Sequence, residues 1–343
     1  QGHEVKLFFD PVFQSVGGTR ETWISRLYSV EDYNIRKMKE FKPDYAIFSV
    51  TTANYFWACR IAKKAKEATG CKTIIGGVHA TSVPEVVKDS KFFDIVVSGC
   101  GIEFFGGRFN PDELYPARFD FYKELPWKDR VNPYIMTSFG CPFNCTYCLP
   151  REMKIKLPRR SVEGCINELK RLKAEGAKRI SIWDDVFTSN KKWLEEFCIK
   201  YRNDINLPFR CVSHCKFIDE EVVSMLRYAG CHTIAIGIQT GSDKLRKEIL
   251  NRNETNEEFL KACKVIKKYG IILLVDHIFR IPFETDETNE ESYQLYKKSG
   301  ADMINVFELV YFPKAKIIDH AIRAGILKES DNEKINRGEM PQY

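Results

Sequence analysis

No apolar run in this sequence approaches the ~20 residues that a bilayer-crossing helix requires, so no membrane span is expected. Blocks of like charge are also missing. The 53 basic and 47 acidic residues are mixed along the chain and leave a formal charge of +6; this describes a solvated surface and argues against a nucleic-acid partner. The opening residues, Gln1-Gly2-His3-Glu4-Val5, offer neither an initiator Met nor a basic stretch before an apolar one. No secretory signal is expected there, and the chain reads as a piece of a longer protein. The twelve cysteines are not packed into a short disulfide scaffold but spread through 343 residues, of which 44% are hydrophobic and 29% charged. That composition is of the ordinary globular kind, and a reducing cytoplasm fits it best.

The length favours two compact domains. Val5 to Phe9 and Tyr45 to Val50 read as strands, the second without alternation, as for a parallel strand covered on both faces. Tyr55 to Ala68 carries apolar residues at helical spacing and stops at Gly70. Two further short strands, Thr73 to Ile75 and Ile95 to Val97, each run into a glycine-rich turn. This is a doubly wound α/β layout over residues 1–105, Rossmann-like, with its ligand edge at the carboxyl ends of the strands. Residues 106–133, rich in proline and aromatics, read as a linker. From Tyr134 onward six strand-helix units follow one another through Leu309, the pattern of a partial (β/α)6 TIM barrel over residues 134–330, with 331–343 as a C-terminal tail. Within it, the helix of Val162, Ile166, Leu169 and Leu172 has the clearest periodicity.

Directly after the first barrel strand stands Gly140-Cys141-Pro142-Phe143-Asn144-Cys145-Thr146-Tyr147-Cys148. Three thiols on one loop at the chemical end of a barrel fit an iron-sulfur cluster, because one short loop wraps a cluster with three thiolates. A three-thiolate cubane leaves one iron open to a substrate or cofactor. Two other readings exist: zinc, completed by a His or Cys from elsewhere, and three inert buried thiols.

The CxxxCxxC loop in this position resembles the radical S-adenosylmethionine (SAM) superfamily, and further segments resemble its cobalamin-binding branch. The resemblance implies that Cys141, Cys145 and Cys148 hold a 4Fe-4S cluster, that SAM chelates the fourth iron, and that reduction cleaves SAM to a 5'-deoxyadenosyl radical. Asp184 and Asp185, in Asp184-Asp185-Val186-Phe187-Thr188, stand at the family's DDxFT segment. Either carboxylate is able to accept from the SAM ammonium, while one of the two reads equally well as a strand-to-helix cap. Gln239 lies in Gly237-Ile238-Gln239-Thr240-Gly241-Ser242, similar to the family's turn after the fourth strand; it, Tyr147 and Ser213 are expected beside SAM. Two segments depart from the pattern. Arg280-Ile281-Pro282-Phe283-Glu284-Thr285 stands where relatives have GLPGET, and Phe312-Pro313-Lys314-Ala315-Lys316 replaces a frequent PGT segment.

In the first domain Thr51-Thr52, Gly76-Gly77-Val78-His79 and Ser98-Gly99-Cys100-Gly101-Ile102-Glu103 resemble the three cofactor-facing loops of a cobalamin-binding domain. Thr51, Thr52, Gly76, Gly77, His79, Gly99, Gly101 and Glu103 are the contacts implied, although glycines at strand ends also occur in α/β domains generally. Lacking Asp-x-His-x-x-Gly, the sequence gives no lower-face histidine ligand, so His79 is expected to be a loop contact; Cys100 stands where relatives have Glu, and their first strand has no counterpart. His214, His232, His277 and His320 read as structural, with His277 also placed to face the barrel interior. What the resemblance implies is cobalamin-dependent methyl transfer to an unactivated carbon of a small-molecule, peptide or lipid substrate. The electron would come from a donor such as flavodoxin or ferredoxin. The alternatives are radical oxidation or cyclisation without methyl transfer and, in another class, a zinc-binding structural or regulatory module.

Overall fold

The computed structural model describes residues 4–8, 30–99, 101–106, 110–113, 131–148 and 159–339. Its first unit starts with helix α1 (Glu31–Phe41) and strand β1 (Tyr45–Ser49). Next come α2 (Tyr55–Thr69), β2 (Lys72–Gly76), the short helices α3 (Val78–Ser82) and α4 (Pro84–Asp89), β3 (Ile95–Val96) and α5 (Gly101–Phe104). The three strands form a parallel sheet in the order β1-β2-β3. Ala58, Cys59, Ala62 and Ala65 recur every three or four residues along α2, so one stripe of that helix packs on Ile75 and Phe48 of the sheet. Gly70, at φ +71, ends the helix in the left-handed conformation that a side chain disfavours.

The second unit is a six-stranded parallel sheet in the order β4-β5-β6-β7-β8-β9. The strands are β4 (Tyr134–Ile135), β5 (Ile180–Ile182), β6 (Phe209–Ser213), β7 (Cys231–Gln239), β8 (Ile272–Phe279) and β9 (Met303–Glu308). Helices α6 (Val162–Ala174), α7 (Lys191–Lys200), α8 (Glu220–Ala229), α9 (Asn256–Lys268) and α10 (Asp286–Ser299) alternate with them. This is an open, partial TIM barrel. Helix starts are set by capping side chains: Ser161, Asn190, Asp219, Thr255 and Thr285 each accept from a backbone N–H in the first turn. Alternation along the strands divides the two faces. Ile180, Ile182, Phe209, Cys211, Ile234, Ile236, Leu273 and Val275 point outward into the layer beneath the helices, which sends Arg210, Asp276 and Phe307 inward.

A third apolar cluster closes the carboxyl end of the barrel. Helices α11 (Ile317–Arg323) and α12 (Glu329–Asn336) bring Ile317, Ile318, Ala321 and Ile335 onto Leu245, Leu250, Ile281 and Leu309. The stretch expected as a tail from 331 thus holds most of α12, with Ile335 fully buried. Of the expected first strand, residues 4–8 carry no regular structure and Phe9 lies outside the described residues, as does most of 106–133. Helices α1, α3, α4, α11 and α12 were not among the elements expected from the sequence. In α1 only Glu31 and Met38 are buried.

The turn 280–285 reveals how this chain departs from its resemblance. Arg280 and Phe283 stand where GLPGET has its glycines, and both keep positive φ, at 64° and 67°. The backbone path of the motif is retained, with two side chains held in a conformation that costs each about 1–2 kcal/mol. Gly241 shows the opposite constraint. A Cβ there would lie 2.5 Å from Ser292 Cα and 2.7 Å from Glu291 O, both backbone atoms of α10. Gly241→Ala is accordingly expected to push α10 off the β7 turn and to cost about 2 kcal/mol. Urea unfolding tests this; an unchanged midpoint would show that the helix yields freely.

Candidate active site

The cysteine loop leaves β4 at the carboxyl end of the sheet and is fastened on several sides. Thr146 donates its N–H to Leu250 O at 3.1 Å and its hydroxyl to Ile249 O at 2.6 Å, while its carbonyl accepts from Ile317 N at 3.0 Å. Asn251 Nδ2 donates to Asn144 O at 2.8 Å. The central cysteine, Cys145, is buried and its neighbours Cys141 and Cys148 are half-buried. Burial, reinforced by the charges of Cys145, Asp185 and Cys141, pushes the Cys148 thiol up to about 12, and burial likewise raises Cys141. Without a cation the Cys148 sulfur stays protonated. Iron would displace the protons and hold the thiolates. Among the described residues no three His, Cys, Asp or Glu side chains converge on a single ion. One zinc would draw its ligands to ~2.3 Å of a common centre, whereas a cubane offers a separate iron to each thiolate.

Arg252 organises the loop from beneath. It is 8% exposed. Its Nη1 lies 3.8 Å from Cys145 Sγ and donates to Tyr147 OH at 3.2 Å; Nη2 donates to Gly237 O at 2.7 Å, and Nε donates to Glu254 Oε1 at 2.5 Å. Burial works to raise the Glu254 pKa, but the His214 hydrogen bond and the Arg252 charge prevail and hold it at about 2. His214 Nε2 lies 3.4 Å from Glu254, and the His214 ring stacks on Phe143 at 4.0 Å. A chain of the half-buried Phe143 and the buried His214, Glu254 and Arg252 therefore joins β6, β7 and the cysteine loop. None of it was foreseen, and His214 is structural, as expected of it.

The expected SAM contacts divide into two groups. Both Asp184 oxygens are engaged: Oδ1 accepts from Thr137 N at 2.6 Å, and Oδ2 accepts from Thr137 Oγ1 at 2.6 Å and from Ser138 Oγ at 2.7 Å. Asp184 is 2% exposed and ties the end of β5 to the end of β4, a cross-strand clamp and not an open acceptor. Ser213 is 4% exposed and shares a 2.5 Å hydrogen bond with Thr188. Asp185, by contrast, is exposed, and its charge reaches Cys141 and Cys148. Partial burial of its carboxyl and then the charge of Asp184 raise its pKa. Gln239, at φ 69, and Tyr147 line a cavity of about 290 Å³ together with Asp276, Ile278, Phe307 and Phe312. His277 does not face the interior: its Nδ1 meets Tyr296 OH at 2.7 Å in the helix layer.

At the first sheet, the loops named in the sequence gather at the carboxyl edge. His79 is fully buried, with Nδ1 3.2 Å from Thr52 Oγ1 and its ring 4.3 Å from that of Tyr55. Burial pushes its pKa down to about 4, which keeps it neutral. Gly77 is required by packing, since a Cβ there would sit 2.6 Å from the Val50 backbone, and Gly76 lies against Val97. Gly99 and Gly101 face open space. Thr51 caps the turn Thr52–Asn54, Glu103 is exposed, and Cys100 lies outside the described residues.

Residues 135–296 match the profile of the Radical SAM superfamily. The segment so marked contains the cysteine loop, Asp184, Asp185, Ser213 and Gln239, and it is a radical SAM domain. Over 84% of its length it is 27% identical to an uncharacterized methyltransferase of Pyrococcus horikoshii, of which it covers 72%. It is 25% identical to the anaerobic magnesium-protoporphyrin IX monomethyl ester cyclase of Rubrivivax gelatinosus over 80% of this chain, yet spans only 58% of that enzyme. In fold it resembles the radical SAM methyltransferase TsrM of Kitasatospora setae, solved with cobalamin and a [4Fe-4S] cluster. The TM-score is 0.67 and the identity 16%, over 85% of this chain and 69% of that one.

The different places of the paired aspartates predict different effects. Asp184→Ala leaves three buried donors without an acceptor and is expected to cost about 3 kcal/mol. Asp185→Ala, at an exposed position, is expected to change stability by less than about 0.5 kcal/mol. Thermal unfolding of the two variants checks the assignment, and equal losses would refute it.

Proposed function

We propose that this chain is a radical SAM enzyme in which Cys141, Cys145 and Cys148 bind a 4Fe-4S cluster, with cobalamin-dependent methyl transfer to an unactivated carbon as its reaction. The observation that carries this reading is the fastened cysteine loop, with its buried Arg252, at the mouth of a partial barrel beside a cavity. When bound, the cluster and SAM supply a one-electron route to a carbon-centred radical, and cobalamin supplies a transferable methyl group. The chain's own residues bind, orient and enclose. Thr146 and Asn251 fasten the loop that carries the three thiols. Arg252 places a positive charge beside Cys145 and compensates part of the thiolate charge. Asp185 and Gln239, with Tyr147 as a wall, are the groups free to meet the amino and carboxylate ends of SAM, and Ser213 stands behind them.

For cobalamin the supporting feature is the open space over Gly99 and Gly101, at the carboxyl edge of β1 to β3, where no side chain among the described residues lies against either glycine. Thr51, Thr52, Gly76, Gly77 and Glu103 border that edge. His79, buried between Thr52 and Tyr55, shapes the loop that would border the cofactor. No helix among the described residues is long and apolar enough to cross a membrane. A cytoplasmic site with a flavodoxin- or ferredoxin-like electron donor, and a small-molecule, peptide or lipid substrate, completes the reading. Similarity to the magnesium-protoporphyrin cyclase favours one alternative, radical oxidation or ring closure without methyl transfer.

Anaerobic reconstitution tests the proposal. The protein is expected to hold roughly four iron and four sulfide per chain, to release 5'-deoxyadenosine from SAM under dithionite, and to lose both properties in Cys145→Ala. Retention of both by that variant would discard the cluster assignment. Hydroxocobalamin is expected to co-elute with the wild type but not with Gly101→Trp, whose indole would occupy the corrin's approach. Corrinoid binding that ignores Gly101→Trp would remove the first sheet from the mechanism.

A further inference from the structure

Within the hollow of the barrel one side chain is left without the partner its chemistry calls for. The inward positions of β5 to β9 are mostly small or apolar: Val212, Ala235, Leu274, Ile278, Met303 and Phe307. Two are charged, Arg210 on β6 and Asp276 on β8. Asp276 is provided for, since Asn305 Nδ2 donates to its Oδ1 at 3.0 Å. Burial raises the Asp276 pKa against the opposing pull of Asn305 and Arg210.

Arg210 is half-buried, and among the described residues its guanidinium makes no hydrogen bond and no ion pair. It lies flat on Trp183, with Cζ 4.8 Å from the ring centre. Trp183 in turn meets Tyr134 edge-on, with ring centres 5.4 Å apart at 86°. The stack runs along the wall made by β4, β5 and β6, and its two aromatic members remain 53% and 47% exposed; Phe307 on the opposite wall is 50% exposed. Large aromatics left bare on the inner face of a barrel mark a surface that something apolar covers. A guanidinium held rigid by an aromatic shelf, with its donors free, is the arrangement that binds a carboxylate through paired hydrogen bonds.

We propose that Arg210 is a specificity-determining residue that takes an anionic group, a carboxylate, of an aromatic or otherwise flat apolar substrate lying between Trp183 and Phe307. This rests on the reading of the chain as a barrel enzyme, and it adds the substrate's charge and shape to that reading. Arg210 sits two strand positions below Val212 and three below Ser213, on the inner face of β6.

The test uses the anaerobically isolated chain with its cluster and the matched probes 2-naphthoate and 2-naphthamide, followed by quenching of tryptophan fluorescence. The chain has five tryptophans, and Trp183→Phe identifies the reporting one. Wild type is expected to bind naphthoate at least ~10-fold more tightly than the amide, the effect of one charge-assisted pair. Arg210→Gln should abolish that preference while leaving naphthamide binding in place; Arg210→Lys should retain part of it. Asp276→Asn should strengthen naphthoate binding. Naphthoate binding equal to the amide's in the wild type, or undiminished in Arg210→Gln, overturns the proposal. So does an Arg210→Gln protein that loses affinity for S-adenosylhomocysteine but not for naphthoate, since the anion would then belong to SAM. Should Arg210→Gln fail to fold, Arg210→Lys and Trp183→Leu, which removes the shelf, carry the same comparison. Probe binding needs no turnover, so failure of the cluster to form would count against the enzyme reading alone.

Discussion

A buried guanidinium beneath the cysteine loop is the contact on which the site depends. Arg252 touches Cys145 and Tyr147 on the loop, Gly237 on β7 and Glu254 beyond the π-helical turn that follows β7. Burying a charge is costly unless it is paired and hydrogen-bonded. Here the pairing spans elements that are otherwise joined only through loops, so the loop sits in one place or the charge is stranded. That all-or-none character is what a cluster site needs, because three thiols must arrive together for a cubane to bind. Glu254 and His214 extend the constraint to Phe143, so both flanks of the loop are gripped.

The two sheets meet the same problem in different ways. In the barrel, inner and outer faces separate cleanly by alternation, and the outer layer under the helices is almost wholly apolar. The charged strand side chains Arg210 and Asp276 are turned to the hollow. In the first unit, close loop packing takes up Gly77, Thr52 and His79, while among the described residues Gly99 and Gly101 remain open at the strand ends. The C-terminal helices belong to the site as much as to the periphery, for Ile317 N donates to Thr146 O and α11 roofs the apolar cluster behind Tyr147.

Much of this was legible in the sequence where the signal is local. Each barrel strand and each helix between strands appears where period and turn residues placed it, and α6 spans the same residues that its apolar period marks. The cysteine trio could be read because its spacing is itself the chemistry. Asp184 was harder. Its partners Thr137 and Ser138 lie 47 and 46 residues earlier, so nothing nearby distinguishes a clamp from an open acceptor, and of the aspartate pair it is Asp185 that stays accessible. Arg252 and Glu254 gave no signal, for Arg252 meets Cys145 across 107 residues. Arg280 and Phe283 show the converse: a backbone path survives the loss of the glycines that usually permit it, because the flanking strand and helix fix both ends.

Three thiolates on a cubane leave one iron free for SAM. Electron paramagnetic resonance of the dithionite-reduced protein, recorded with and without SAM, reads out that open iron. The expected result is the signal of a reduced 4Fe-4S cluster whose g-values move when SAM is added. A cluster signal indifferent to SAM, or a colourless protein holding a single zinc, would contradict it.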